Sequence, residues 1–288
     1  MTQILQSAPI KKLITKALKA ECKALQEKQI TPFLKVILVG SNPASIIYTN
    51  NKKKYCERIG AKCEIVNLDE QINENNFLAT INQINNDNLV HGCIIQLPLP
   101  TQLKHLDVGS LIVKEKDVDG FHPENLYALM SNKTNLHSFI SCTPKGILTL
   151  LQENQITIEG KQVVIIGRSM IVGKPLAMLL TNHNATVTLC HSHTLNLKKI
   201  CQRADILISA IGKSKFITKD FISANKNQII IDVGMNTDTN GQVCGDVDFN
   251  EVESLVAAIT PVPGGVGPMT IVSLAQNLLQ ATKNRLSL

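Results

Sequence analysis

Gln162-Val163-Val164-Ile165-Ile166-Gly167-Arg168-Ser169-Met170-Ile171-Val172-Gly173-Lys174-Pro175 runs from an apolar strand through a glycine-bounded loop into a helix. The β-branched run 163–166 suits a strand buried on both faces. Gly167 permits a tight turn, Gly173 lets the helix pack closely on the strand, and the helix reads from Lys174 to Asn182. At such a junction free backbone N–H groups and the helix dipole favour an anion. The spacing departs from Gly-x-Gly-x-x-Gly, because Ser169 holds the middle glycine's place. Taken alone, the loop leaves a nucleotide site and an ordinary α/β turn equally open.

The next strand, Thr186 to Cys190, sharpens the reading. NAD sites place a carboxylate at this strand end to hold the ribose 2′-hydroxyl. Here the chain reads Leu189-Cys190-His191-Ser192-His193, without an acid, while Arg168 stands in the loop itself. A 2′-phosphate is repelled by a carboxylate and held by a guanidinium and a hydroxyl. NADP is therefore the expected cofactor, against the alternative that Arg168 is merely solvated. Strand alternation sends Cys190 and His191 to opposite faces, so no metal site is expected.

Further outward, strands at Ile206–Ser209 and Ile229–Val233 continue the series. Toward the N-terminus a separate series appears: a helix over 9–29, strands at 33–39, 61–68 and 92–97, and helices at 43–59 and 74–84. Leu13, Ile14, Ala17, Leu18 and Leu25 suggest the buried stripe of the first helix. Alternating strands and helices imply right-handed crossovers and parallel sheets. The polar stretch Asn132–Ser141 reads as a linker, after which Thr143 caps a helix with Pro144 at its first position. The last helix, Met269–Asn284, is expected to return to the first domain.

A chain of 288 residues, 44% hydrophobic, is comfortable for two cores, which only 3% aromatics and no Trp make aliphatic. Its apolar runs are too short for a bilayer, and Met1–Ala8 lacks the pattern of a signal peptide, so a soluble cytoplasmic protein is expected. Eight scattered cysteines, none in Cys-x-x-Cys, read as reduced and mostly buried thiols. A net charge of +6 with only four arginines argues against nucleic acid and suits an anionic ligand.

Tyr48 and Lys52 lie four apart on one helix face, with Lys53 and Lys54 turned away. A partly desolvated lysine beside a hydroxyl can titrate near neutrality, although Tyr-x-x-x-Lys is usually a surface pair. Gln96 stands at a strand's C-terminal end, where ligands of parallel sheets bind, or else satisfies loop backbone. Asp117 and Asp119 precede Gly120 in a loop, and either could simply bond its own turn. Pro263-Gly264-Gly265-Val266-Gly267-Pro268 could bring backbone close to a flat ligand or act as a hinge.

Together these segments resemble the bifunctional methylenetetrahydrofolate dehydrogenase/methenyltetrahydrofolate cyclohydrolase family. The matching stretches are 39–45 running into Tyr48 and Lys52, Gln96-Leu97-Pro98-Leu99-Pro100, 116–123, Cys142-Thr143-Pro144, 167–173, Asp232-Val233-Gly234, Gly245-Asp246-Val247-Asp248 and 261–270. The resemblance implies an α/β protein with an N-terminal parallel catalytic domain, 1–139 joined by the C-terminal helix 269–288, and a Rossmann-like NADP-binding domain, 140–268. It implies oxidation of 5,10-methylenetetrahydrofolate and hydrolysis of the methenyl product in one cleft, by a homodimer. Lys52 is then the catalytic lysine, Tyr48 and Gln96 set its position and protonation, and Asp119 holds the pterin. Pro263, Gly264 and Gly265 cover substrate; Gly167, Arg168, Ser169 and Ser192 face NADP, with Met235 beside it. The chain departs from the family at Gln6-Ser7, Tyr127 and Met235, none a catalytic position. A short-chain dehydrogenase also pairs Tyr and Lys with a glycine loop, but in the reverse order along the chain.

Overall fold

The computed structural model describes residues 1–135 and 137–286. It divides into two compact units, one of residues 13–142 and 271–288, the other of 1–12 and 143–270. The chain opens with strand β1 (Gln3–Ile4) and helix α1 (Ala8–Glu27). Thr15, Leu18, Cys22 and Leu25 form the buried stripe of α1 at helical spacing. Leu13 and Ala17, which the sequence pattern placed on that stripe, are exposed, and Ile14 is half-buried.

In the unit of 13–142, strand β2 (Phe33–Val39) lies between β3 (Lys62–Leu68) and β4 (Gly92–Ile95), all parallel. The crossovers are α2 (Pro43–Ile59) and α3 (Glu74–Asn86). Asn42 starts α2 by accepting from Ser45 N–H at 3.1 Å, with Pro43 at the first position. Gly60 ends it at φ 96°, a left-handed cap that glycine adopts without strain. Phe77, Ile81 and Ile84 of α3 pack on Phe33, Ile37 and Ile95 of the sheet. After β3 on one side of β2 the chain crosses to β4 on the other, so the C-terminal end of β2 is a topological switch point.

Helix α4 (Pro123–Met130), absent from the sequence reading, starts at His122, whose ring nitrogen accepts from Glu124 N–H. Helix α5 (Cys142–Glu153) begins at Cys142, so Thr143 lies inside the helix and does not cap it. The proposed linker ends there; its Leu136 lies outside the described residues.

The other unit carries six parallel strands in the order β1-β11-β8-β7-β5-β6, with β5 (Gln162–Ile166), β6 (Thr186–Cys190), β7 (Ile206–Ser209), β8 (Ile229–Asp232) and β11 (Ala258–Ile259). Between them run α6 (Gly173–Asn182), α7 (Leu197–Gln202), the hairpin β9 (Asn236–Thr237) and β10 (Val243–Cys244), and α8 (Phe249–Val252). Residues 1–12, assigned by sequence to the N-terminal domain, join this unit because β1 pairs with β11. Two residues of strand carry too little apolar periodicity to be seen in advance. The switch point here is the end of β5, between β6 and β7. Helix α9 (Val266–Arg285) closes the chain, and its residues from 271 onward lie in the first unit described. Residues 287 and 288, grouped with that helix in the sequence reading, lie outside the described residues.

Candidate active site

At the switch point of the three-stranded sheet, α2 carries Lys52, only 5% exposed. Its Nζ donates to Gln96 Oε1 at 3.0 Å and lies 4.6 Å from the centroid of the Tyr48 ring, one turn earlier. Gln96 Nε2 donates to the Leu97 carbonyl at 2.8 Å, which fixes the amide so that its oxygen faces the lysine. Lys53 instead pairs with Glu57, and Lys54 is exposed.

Asp119 completes the group. Burial pulls Lys52 below its ordinary value, opposed chiefly by the charge of Asp119. Burial likewise pushes Asp119 above the usual carboxylate range, opposed by Lys52 and by the Cys142 thiol. In both groups burial favours the neutral form, and each one's charge opposes that shift in the other. The Tyr48 ring face works the other way, since its quadrupole favours the ammonium.

The loop before Asp119 is held from three sides. Lys116 Nζ donates to the carbonyls of Ile84, Asn85 and Asp87 at 2.7–2.8 Å, satisfying the C-terminal end of α3. Asp117 accepts from Gly120 N–H, His122 N–H and Asn125 Nδ2, which makes it the turn residue of the pair. Burial pushes it up to about 7 despite those donors. Val118 packs where a side chain on Gly92 would stand, and Asn277 of α9 donates to the Val118 carbonyl at 2.9 Å. Sequence reasoning gave no role to Cys142, Asn277 or Lys116. Of these only Cys142 and Lys116 stood in the quoted motifs.

In the six-stranded unit, Gly167 has φ 120°, and a Cβ there would meet the Ala210 carbonyl at 2.3 Å. A Cβ on Gly173 would meet the Gly167 carbonyl at 1.9 Å and Arg168 Cα at 3.0 Å, so this glycine makes room for the loop rather than for the strand itself. Gly167 N–H donates to the Cys190 carbonyl, tying the loop to the end of β6. Ser169 Oγ accepts from Val172 N–H, and among the described residues no side chain caps the N-terminus of α6. Arg168, Ser169 and Ser192 are exposed along this edge. A backbone cradle at an uncapped helix N-terminus, with a guanidinium and hydroxyls beside it and no acid at the end of β6, fits a phosphorylated dinucleotide.

The 260–265 turn belongs to the same unit. Gly264 has φ 108°, and a Cβ on Gly265 would meet the Pro261 carbonyl at 2.6 Å. Ser7 N–H and Oγ both donate to the Gly264 carbonyl, at 2.9 and 2.6 Å, so the departure at Ser7 clamps the turn. Pro263 is exposed, and the exposed Met235 reaches over Gly267.

The family model of the tetrahydrofolate dehydrogenase/cyclohydrolase catalytic domain matches residues 5–119, and that of its NAD(P)-binding domain matches 141–286. The chain belongs to the tetrahydrofolate dehydrogenase/cyclohydrolase family. It is 47% identical over 288 residues to a bifunctional protein FolD of Streptococcus equi subsp. zooepidemicus, covering all of both chains. The bifunctional FolD crystal structure from Campylobacter jejuni superposes with a TM-score of 0.95 at 42% identity, over 99% of this chain and 100% of that one. The Trypanosoma brucei enzyme, complexed with NADP cofactor and inhibitor, superposes at 0.92 with 32% identity, over 100% and 99%. Membership in this family displaces the short-chain dehydrogenase reading.

Proposed function

We propose that this chain oxidises 5,10-methylenetetrahydrofolate with NADP and hydrolyses the methenyl product to 10-formyltetrahydrofolate, with Lys52 moving the proton in the second reaction. The observation that carries the assignment is that Lys52, itself buried, donates to Gln96 and feels the charge of Asp119. NADP, when bound, supplies the hydride acceptor. Arg168, Ser169 and Ser192 hold the 2′-phosphate side, the Gly167–Gly173 loop holds the pyrophosphate, and Met235 flanks the ring.

Hydride loss is driven by the folate nitrogen lone pair, so the protein's task there is orientation. Asp119 anchors the pterin, and the Pro263-Gly264-Gly265 turn covers the substrate. Hydrolysis needs more. Water adds to the methenyl carbon as neutral Lys52 takes one of its protons; the ammonium returns that proton to the departing folate nitrogen as the ring opens, and the remaining hydroxyl proton leaves to solvent as the formyl carbonyl forms. Tyr48 and Gln96 keep Nζ on this path. Burial, which lowers the pKa of Lys52, favours the neutral amine that the first step requires.

The test is a spectrophotometric assay with methylenetetrahydrofolate and either dinucleotide. Turnover with NADP, followed by loss of the methenyl absorbance, is expected; turnover with neither cofactor would refute the reading.

Among the described residues no helix is long and apolar enough to cross a membrane. All eight cysteines are free, seven of them buried, which supports a reducing, cytoplasmic setting. A homodimer formed through the cofactor unit is the assembly the family implies, and sedimentation as a monomer at micromolar concentration would overturn it.

A further inference from the structure

Two buried carboxylates at the C-terminal edge of the six-stranded sheet have no part in the mechanism above. Asp246 is fully buried, and its two oxygens accept four hydrogen bonds. Oδ2 takes Ser209 Oγ at 3.0 Å and Ile211 N–H at 2.8 Å, while Oδ1 takes Lys213 N–H at 2.9 Å and Asn236 Nδ2 at 3.0 Å. Asp232, at the end of β8, takes Gly234 N–H, Asp246 N–H and Val247 N–H, each at 2.9 Å. The neighbouring glycines exist for them. A Cβ on Gly234 would stand 2.2 Å from Asp246 Oδ1, and one on Gly245 1.8 Å from Asp232 Oδ2. No cation lies within 4.0 Å of either carboxylate among the described residues, so N–H and O–H dipoles alone hold the charges. Burial of uncompensated carboxylates is costly, and sites that keep them use the hydrogen bonds to fix backbone.

The backbone they fix is specific. Asp246 ties the loop after β7 (210–213) to the loop after β8 (234–236), and Asp232 ties the latter to 245–247. The Gly167 turn rests on Ala210, and Met235 rests on Gly267 of the glycine-rich turn. In a doubly wound sheet the dinucleotide crosses the switch point, with one half over β6 and the other over β7 and β8. The Arg168 and Ser192 side is the phosphate-bearing adenosine half, which leaves the β7 and β8 loops for the nicotinamide half.

We infer that Asp246, braced by Asp232, is a positioning residue that shapes the platform for the nicotinamide half of the cofactor. It serves hydride transfer and leaves hydrolysis untouched. The inference rests on the assignment of the cofactor site to the end of β5.

An asparagine at 246 keeps the shape but in either amide orientation turns its NH₂ on a backbone N–H, that of Ile211 or of Lys213, which can only donate. Asp246→Asn is therefore expected to raise the KM for NADP or lower the dehydrogenase kcat enough to cost tenfold or more in kcat/KM. Hydrolysis of supplied methenyltetrahydrofolate, assayed without NADP, stays within twofold. A dehydrogenase within twofold of wild type, or equal loss of both activities, would overturn the inference. If that variant does not fold, Asn236→Ala decides, because it removes only the donor nearest Met235: a several-fold rise in the KM for NADP supports the inference, and an unchanged KM overturns it. Wild-type enzyme that turns over no NADP would instead sink the cofactor assignment, so the two failures are separable.

Discussion

The Lys52 site and the Gly167 loop both stand at the switch point of a parallel sheet, yet they are built from opposite materials. The first is a set of side chains around one buried amine: Lys52 bonds Gln96 and lies over the Tyr48 ring, all three neighbours half-buried, with the charge of Asp119 acting on it. The second is a set of missing side chains, with Gly167 and Gly173 leaving backbone close enough to touch, and the charged residues at its rim exposed. Desolvation shifts protonation and suits a site that must move a proton. A backbone cradle presents fixed dipoles and suits a ligand that needs only to be held. On the proposed assignment the two ligands are met by two kinds of chemistry, and changes in each region should produce different losses.

Gly173→Ala should give the largest effect. Its methyl would lie 1.9 Å from the Gly167 carbonyl, so the loop must move. Overpacking typically costs about 1–3 kcal/mol, and a clash this close with backbone belongs at the upper end, on the order of 100-fold in dehydrogenase kcat/KM with NADP. Hydrolysis of supplied methenyltetrahydrofolate should survive in the folded fraction; its parallel loss would break the contrast between the regions.

Gln96→Ala should weaken both reactions. It removes the acceptor of a buried ammonium, a bond worth about 1.5–3 kcal/mol, or roughly 10- to 100-fold in kcat/KM. Steady-state kinetics of each half-reaction measure this, and an unchanged cyclohydrolase would show that Gln96 does not place Lys52.

Arg168→Ala should raise the KM for NADP about tenfold, the value of one charge-assisted bond at an exposed site, and leave the KM for NAD nearly unchanged. Because the side chain is exposed, the melting temperature should not move. Equal use of both dinucleotides by the wild type would contradict the reading.

The smallest effect concerns burial where no reaction occurs. His91, just before β4, accepts Phe33 N–H on Nδ1 and is lowered to about 4, first by burial and then by Arg285 and Lys116. Between pH 6.5 and 4 the unfolded chain binds the proton and the folded one does not, so this stability is present above 6.5 and is lost on acidification. Partial exposure tempers the effect to on the order of 1 kcal/mol at pH 5, a few degrees in melting temperature. His91→Gln should flatten that part of the curve, with neither activity affected at neutral pH.

The same contrast explains what the sequence made legible. The long elements stood out because their apolar residues repeat at 2.0 or 3.6, and the Gly167 loop because it joins such elements. Strands β1 and β11, two residues each, have no period to read. Tyr48 and Lys52 were visible as neighbours on one helix. What lay beyond reach was contact between distant segments: Lys116 on the end of α3, Asn277 on the Val118 carbonyl, Ser7 on Gly264. Asp117 and Asp119 look alike in sequence and differ only in what faces them, one a turn and the other a lysine.

The central claim is that Lys52 separates the two reactions, and Lys52→Met tests it most directly. The measurement follows methenyltetrahydrofolate, which absorbs in the near ultraviolet, beside NADPH formation from methylenetetrahydrofolate. If Lys52 moves the proton, the variant retains part of its dehydrogenase activity and accumulates one methenyl product for each NADPH, with no enzymatic hydrolysis. In the wild type, hydrolysis should rise with pH as the amine becomes neutral, a dependence that the variant lacks. A Lys52→Met enzyme that hydrolyses the intermediate at the wild-type rate would contradict the account.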